Sequence, residues 1–256
     1  MRILAIGDII GDKALDYTFR KLPQIKKDYS VDFVIANGEN SAVGNGITMQ
    51  IAKDMQKNGI DVITLGNHTF TKKDAVNVLL NNQRVIRPIN FPEKTVGKGS
   101  VILEKDGKRI AVINALGRIN LMNCDCPFKA VEKELSRLKG KCDISILDFH
   151  AETSSEKLCM GFYLDGKISA VYGTHTHVAT ADERILSGGT GYISDIGMTG
   201  VSDSVLGVKK EIIIRRMVDL MPQKFEIADG RITLSGVIFE FDDTTNKCIK
   251  AERISV

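Results

Sequence analysis

No apolar run in the chain approaches the ~18 residues that a membrane span requires. Met1-Arg2 leads directly into a strand-like stretch, so no signal peptide is expected. Cysteine is sparse. The five residues at 124, 126, 142, 159 and 248 are odd in number and irregular in spacing, which argues against a disulfide framework and fits a reducing cytoplasm. Cys124-Asp125-Cys126 reads as a pair of loop thiols rather than a metal or redox pair. Long charge runs are missing too. Lys26-Lys27, Lys72-Lys73, Lys209-Lys210 and Arg215-Arg216 are isolated pairs, and the net charge is only +3, so no nucleic-acid-binding stripe is expected. Gly188-Gly189-Thr190-Gly191 lacks the G-x-x-x-x-G-K-[ST] pattern of a phosphate-binding loop and reads as a tight turn between strands. There is no linker, low-complexity segment or repeat. With 256 residues, 43% of them hydrophobic, a single domain over 1–256 with a full core is expected.

Up to residue 180, short apolar runs alternate with helical patterns. Runs at 3–6, 33–36, 62–65, 110–114, 144–147 and 170–172 are almost continuously apolar and rich in β-branched residues, as central strands covered on both faces are. Helices are predicted over 13–27, 47–58, 72–81, 128–139 and 154–163. Ile47, Ile51 and Met55 mark one helix face, Asn58-Gly59 its end, and Thr71 a cap for the next helix. Beyond 180, strand signals at 183–186, 191–194, 211–217, 232–241 and 247–254 follow one another with little helix, which predicts a β-rich last third.

Only four histidines are present, and all lie in short motifs after such runs: His68 in LGNHT, His150 in LDFHAE, and His175 and His177 in YGTHTHV. Asp8 and Glu39-Asn40 follow the first two strands, and Asn67 precedes His68. In α/β sheets, ligands bind beyond the carboxyl ends of strands. Five strand ends bearing metal-compatible groups therefore point to one binuclear site. The i, i+2 spacing of His175 and His177 places both imidazoles on one side if the segment is extended, and Gly173 allows a tight departure from the strand. Imidazoles, carboxylates from Asp8 and Glu39, and amide oxygens from Asn40 and Asn67 suit manganese, iron, zinc or cobalt, and affinity alone does not choose among them. Two carboxylates against two divalent ions leave positive charge for a phosphate group, and paired ions can share a hydroxide as the nucleophile. Phosphoester hydrolysis follows from that chemistry.

The ordered set GDIIG (7–11), NGEN (37–40), GNHTF (66–70), DFHAE (148–152), GTHTHV (173–178) and DIGMTGVSDS (195–204) resembles the calcineurin-like metallophosphoesterases, in particular their YmdB-type branch. The resemblance implies an α/β fold, a four-layer α/β/β/α sandwich. It implies that Asp8, Glu39, Asn40 and His177 hold a first metal ion, and that Glu39, Asn67, His150 and His175 hold a second, with Glu39 bridging. His68 would be the general acid that protonates the leaving oxygen. The substrate class implied is a small phosphodiester such as a 2′,3′-cyclic nucleotide. A phosphomonoesterase or nucleotidase, or a regulatory metal-binding protein with little turnover, are the alternatives. The resemblance also leaves room for a homo-oligomer.

Three positions depart from the wider superfamily. Ile10 replaces the histidine of Asp-x-His, Glu39 replaces an aspartate, and no arginine follows in NGENSAVG. Asn40 is read as compensating for Ile10. Asp12 reads as a helix N-cap, Glu152 as either a partner of His150 or a surface ion pair, and 195–204 as either cavity lining or a sheet corner.

Overall fold

The computed structural model describes residues 1–256. Its first part runs β1 (Arg2–Ile6), β2 (Asp8–Ile9), α1 (Gly11–Asp28), β3 (Phe33–Asn37), α2 (Met49–Lys57), β4 (Val62–Thr64), α3 (Ala75–Asn81) and β5 (Val85–Ile86). A hairpin of β6 (Ser100–Lys105) and β7 (Lys108–Leu116) leads to α4 (Pro127–Leu138), β8 (Ile144–His150), α5 (Ser154–Leu164) and β9 (Ala170–Thr174). The last third holds β10 (Arg184–Ile185), β11 (Gly191–Ile193), β12 (Met198–Val201), α6 (Lys210–Asp219), β13 (Ile232–Thr233), β14 (Ser235–Phe241) and β15 (Cys248–Ser255).

Two six-stranded sheets result, ordered β15-β14-β1-β3-β4-β5 and β10-β11-β9-β8-β7-β6, with a small third sheet β13-β12-β2. In the first, β1, β3, β4 and β5 are parallel; in the second, β7, β8, β9 and β11 are. Alternation along each strand sorts side chains into layers. Leu4, Val34 and Ile63 meet Leu22, Ala52 and Met55 of α1 and α2. Ile3, Phe33 and Val62 face Val112, Ile146 and Tyr172 of the second sheet. Ile113, Leu147 and Val171 meet Val131, Met160 and Leu164 of α4 and α5. The layers are therefore α/β/β/α, with a dry core between the sheets.

Several sequence expectations change. The predicted strand at 211–217 is the helix α6. Its run of isoleucines has high β-propensity, but that preference reflects packing in a sheet, and no residue of α6 is buried. Thr71 does not cap α3. That helix starts at Ala75, and Asp74 instead accepts a hydrogen bond from the Met49 N–H at the start of α2, at 2.6 Å. Asp12 lies within the first turn of α1 and caps nothing beyond its neighbour Lys13. Strands β2, β5 and β12 are too short to carry a readable period, and β6 is a half-exposed edge strand. Gly59 (φ +97°) ends α2, and Gly189 (φ +96°) sits in the turn between β10 and β11, as expected.

Candidate metal centre

The parallel strands of both sheets turn their carboxyl ends to the same rim, and side chains from the two sheets touch there. Asp8, fully buried at the start of β2, places Oδ1 3.2 Å from Asn40 Nδ2 and 3.7 Å from His177 Nε2. Asn40 Nδ2 is also 3.4 Å from His177 Nε2. A second group centres on His150 Nε2, which lies 2.9 Å from Glu39 Oε1, 3.0 Å from Asn67 Oδ1 and 3.1 Å from His175 Nδ1. The two groups are joined by the His175 N–H, which donates to Asp8 Oδ2 at 3.2 Å. His68 stands beside them, its backbone N–H donating to Glu39 Oε2 at 2.8 Å. All eight residues singled out in the sequence thus meet at one rim.

The histidine pair arrives there differently from expectation. β9 ends at Thr174, and His175 (φ +99°) and His177 (φ +64°) are in the left-handed region rather than extended. Their imidazoles consequently part, one toward His150 and the other toward Asp8. Such a conformation costs a non-glycine residue about 1–2 kcal/mol, so tertiary contacts must hold it. Gly173 does not provide the departure, because it lies within β9 at an ordinary φ. A Cβ there would overlap the Ser194 carbonyl oxygen, so glycine is required by close approach of a neighbouring segment.

Other residues shape the centre without having been singled out. His150 Nδ1 is 2.9 Å from Thr174 Oγ1, which donates to Asp148 Oδ1 at 2.6 Å, while Thr64 Oγ1 donates to Asp148 Oδ2 at 2.5 Å. Thr174 can then accept the Nδ1 proton, which directs the Nε2 lone pair into the site. Burial raises the Asp148 carboxyl to about 7. A signal existed, since Asp148 is the one carboxylate in β8 and follows the apolar Ile146 and Leu147. Glu152 Oε2 approaches His175 Nε2 at 2.9 Å rather than His150. Asn45 (φ +64°) and Thr71 flank the His68 ring, at 3.2 Å from Nε2 and 3.4 Å from Nδ1. Within segment 195–204, Met198 and Thr199 pair with Asp8 and Ile9 across β12 and β2.

These groups fit a cation. Two ligands about 2.1 Å from one ion and at right angles lie about 3 Å apart, which is the spacing found around His150 Nε2. Glu39 Oε1 is buried without a hydrogen-bond partner, 2.9 Å from His150 Nε2. A buried oxygen of this kind is costly unless it meets positive charge. Burial pulls the His150 imidazole down, but Glu39 overrides it and raises it to about 9. Burial and the neighbouring His150 instead lower His175 to about 4. Burial would raise the Asp8 carboxyl, yet His177 holds it below its ordinary range. Glu39 thus favours positive charge on His150, which in turn disfavours it on the neighbouring His175.

A model of the YmdB-like protein family matches residues 4–254. The chain belongs to this family. Among YmdB-like relatives, the 2′,3′-cyclic-nucleotide 2′-phosphodiesterase of Bacillus subtilis (strain 168) is 45% identical over 256 residues, covering 100% of this chain and 97% of that protein. The crystal structure of a novel phosphatase from Mycoplasma pneumoniae is 36% identical with a TM-score of 0.93, covering 100% of this chain and 93% of that one. A 5′-nucleotidase precursor from Thermus thermophilus shares the fold, with a TM-score of 0.59 at 11% identity, and here 54% of the longer chain is matched. The layered architecture is shared with that nucleotidase, and Glu39, His150 and His175 form a group that could hold a metal ion. No helix is long and apolar enough to cross a membrane.

Proposed function

We propose that this YmdB-like chain is a two-metal phosphodiesterase acting on 2′,3′-cyclic nucleotides or related small phosphodiesters. The observation that carries the reading is the meeting of five strand ends from two sheets around a buried carboxylate oxygen without a hydrogen-bond partner. The name of the Bacillus subtilis relative supports the substrate class.

Asp8, Asn40 and His177 hold a first ion in this reading, and Glu39, Asn67, His150 and His175 hold a second, with Glu39 reaching across. When bound, the ions supply positive charge for the phosphate and make water a competent nucleophile near neutral pH. Asn40 serves with its amide turned so that Oδ1 faces inward, an exchange of nitrogen and oxygen that leaves the side chain in place. The Thr174–Asp148 pair keeps the His150 Nδ1 proton away from the centre. His68, beside Glu39 but with its ring turned to Asn45 and Thr71, gives a proton to the leaving oxygen. Carboxylate, amide and imidazole donors without thiolate accept iron, manganese, zinc or cobalt, of which iron or manganese is proposed first. Free cysteines support a reducing, cytoplasmic setting.

The name of the Mycoplasma pneumoniae neighbour favours a second reading, a phosphomonoesterase. Metal-stripped protein titrated with Mn²⁺ or Fe²⁺ and assayed on 2′,3′-cyclic AMP, bis-p-nitrophenyl phosphate and p-nitrophenyl phosphate separates the two. Two bound ions and preferred turnover of the cyclic diester are expected. A fully loaded protein that hydrolyses only the monoester establishes the second reading, and one that hydrolyses none removes the enzyme.

A further inference from the structure

A buried ion pair lies directly behind the histidine turn. Lys157 of α5 and Asp195 are 3% and 1% exposed, and Lys157 Nζ donates to Asp195 Oδ2 at 2.5 Å. The same oxygen accepts the Thr176 N–H at 3.2 Å and the Thr176 hydroxyl at 2.8 Å. Asp195 Oδ1 accepts the Gly197 N–H at 2.8 Å. The backbone of this segment binds the turn at both ends. Ile196 N–H donates to Gly173 O, and Asp195 exchanges hydrogen bonds with Thr180. Gly197 O in turn accepts the Asp8 N–H at 3.2 Å.

Thr176 sits between His175, which faces the Glu39 group, and His177, which faces the Asp8 group. A rotation at Thr176 moves both imidazoles at once. Its backbone N–H and hydroxyl end on a single carboxylate oxygen, and the segment carrying that carboxylate also holds Asp8. We infer that Asp195 and Lys157 are positioning residues that set the left-handed His175–His177 turn and thereby the spacing between the two metal-binding groups. Lys157 neutralises a carboxylate that burial would otherwise disfavour, and Asp195 fixes the turn. This rests on the reading of His175 and His177 as metal ligands.

Removing one member of the pair leaves the other charge buried and uncompensated, so the test uses the paired neutral variant K157M/D195N. The full-length variant should melt cooperatively when metal-free. Its Mn²⁺ affinity, measured by calorimetric titration, should fall about 10–100-fold at one site or both, as when supports of metal ligands are removed. At two equivalents of Mn²⁺, its electron paramagnetic resonance spectrum should show isolated ions where the unsubstituted protein shows a coupled pair. T176V keeps the ion pair and removes only the hydroxyl contact, so it should show a smaller loss of the same kind and carries the test if the paired variant does not fold. K157R, which keeps the ion pair with Asp195, should retain most of the wild-type affinity. Wild-type Mn²⁺ affinity with a coupled spectrum in folded K157M/D195N, or in T176V when that variant stands in, overturns the inference. H175A and H177A serve as controls. Should they also keep both ions, the ligand reading fails with it; should they lose metal while the paired variant does not, the positioning role alone is wrong.

Discussion

Asp8, Glu39, Asn40, Asn67 and His68 follow strands of the first sheet, whereas His150 ends β8 and His175 and His177 follow β9 of the second. One sheet contributes mainly oxygen and negative charge, and the other contributes nitrogen. The cluster around His150 Nε2 draws on both, taking Glu39 and Asn67 from the first and His175 from the second. Glu39 raises His150 across the gap between them, so the electrostatics of the centre are a property of the docked sheets rather than of either. The core between the sheets, with Phe33, Tyr172 and Phe239, aligns the two half-sets as well as stabilising the fold.

The division can be attacked from either side. Glu39→Ala removes the carboxylate that reaches His150 of the second sheet and should have the largest effect, with both ions lost and kcat/KM down about 10³-fold, or ~4 kcal/mol. Elemental analysis checks this, and two tightly retained ions would remove the bridging role. Phe239→Ala acts on the docking itself. Phe239 is fully buried, its ring 6.5 Å from Tyr172, and its loss should destabilise the protein by about 3 kcal/mol in denaturant titration. Metal affinity of the fraction that remains folded should change far less.

His68→Ala leaves both half-sets intact. Metal content should hold, while kcat falls about 10²-fold on substrates with poor leaving groups and much less on p-nitrophenyl esters. Equal loss on both classes would argue against proton donation. Thr174→Val cuts the relay behind His150 within the second sheet and should weaken Mn²⁺ binding about tenfold. Unchanged binding would show that Thr174 does not orient the ring.

The smallest effect belongs to the opposite end of the second sheet. Asp143 pairs there with Arg109, at 2.8 Å, and is lowered to about 2, chiefly by the hydrogen bond from Arg109. Because the folded pKa is depressed, the pair stabilises above the unfolded value near 4 and that contribution is lost as pH falls toward 2. Asp143→Asn should therefore flatten the acid limb of thermal stability slightly and leave metal binding and turnover untouched. A change in either would mean that the far ends of the strands influence the centre.

Legibility followed the same division between local and tertiary causes. The strand ends were readable because polar groups interrupt long apolar runs, and each run is a central strand buried on both faces. The His175–His177 turn was not, because a left-handed backbone at two histidines is imposed by Asp8 and Asp195 from distant segments. β2 and β12 escaped for want of length, although their pairing couples Asp8 to segment 195–201. Helix α6 escaped because three consecutive isoleucines mimic a strand, and nothing in their own spacing shows that no sheet receives them.

The antiparallel pairing of β14 with β1 has a consequence for the order of events during synthesis. Residues 2–6 leave the ribosome long before residues 235–241, so one edge of that strand stays open until they have followed. Asp8 hangs from this unfinished edge. The nascent chain thus carries every proposed ligand before β14 can close that edge, and termination before residue 235 would leave β1, the strand that leads to Asp8, unpaired on one side.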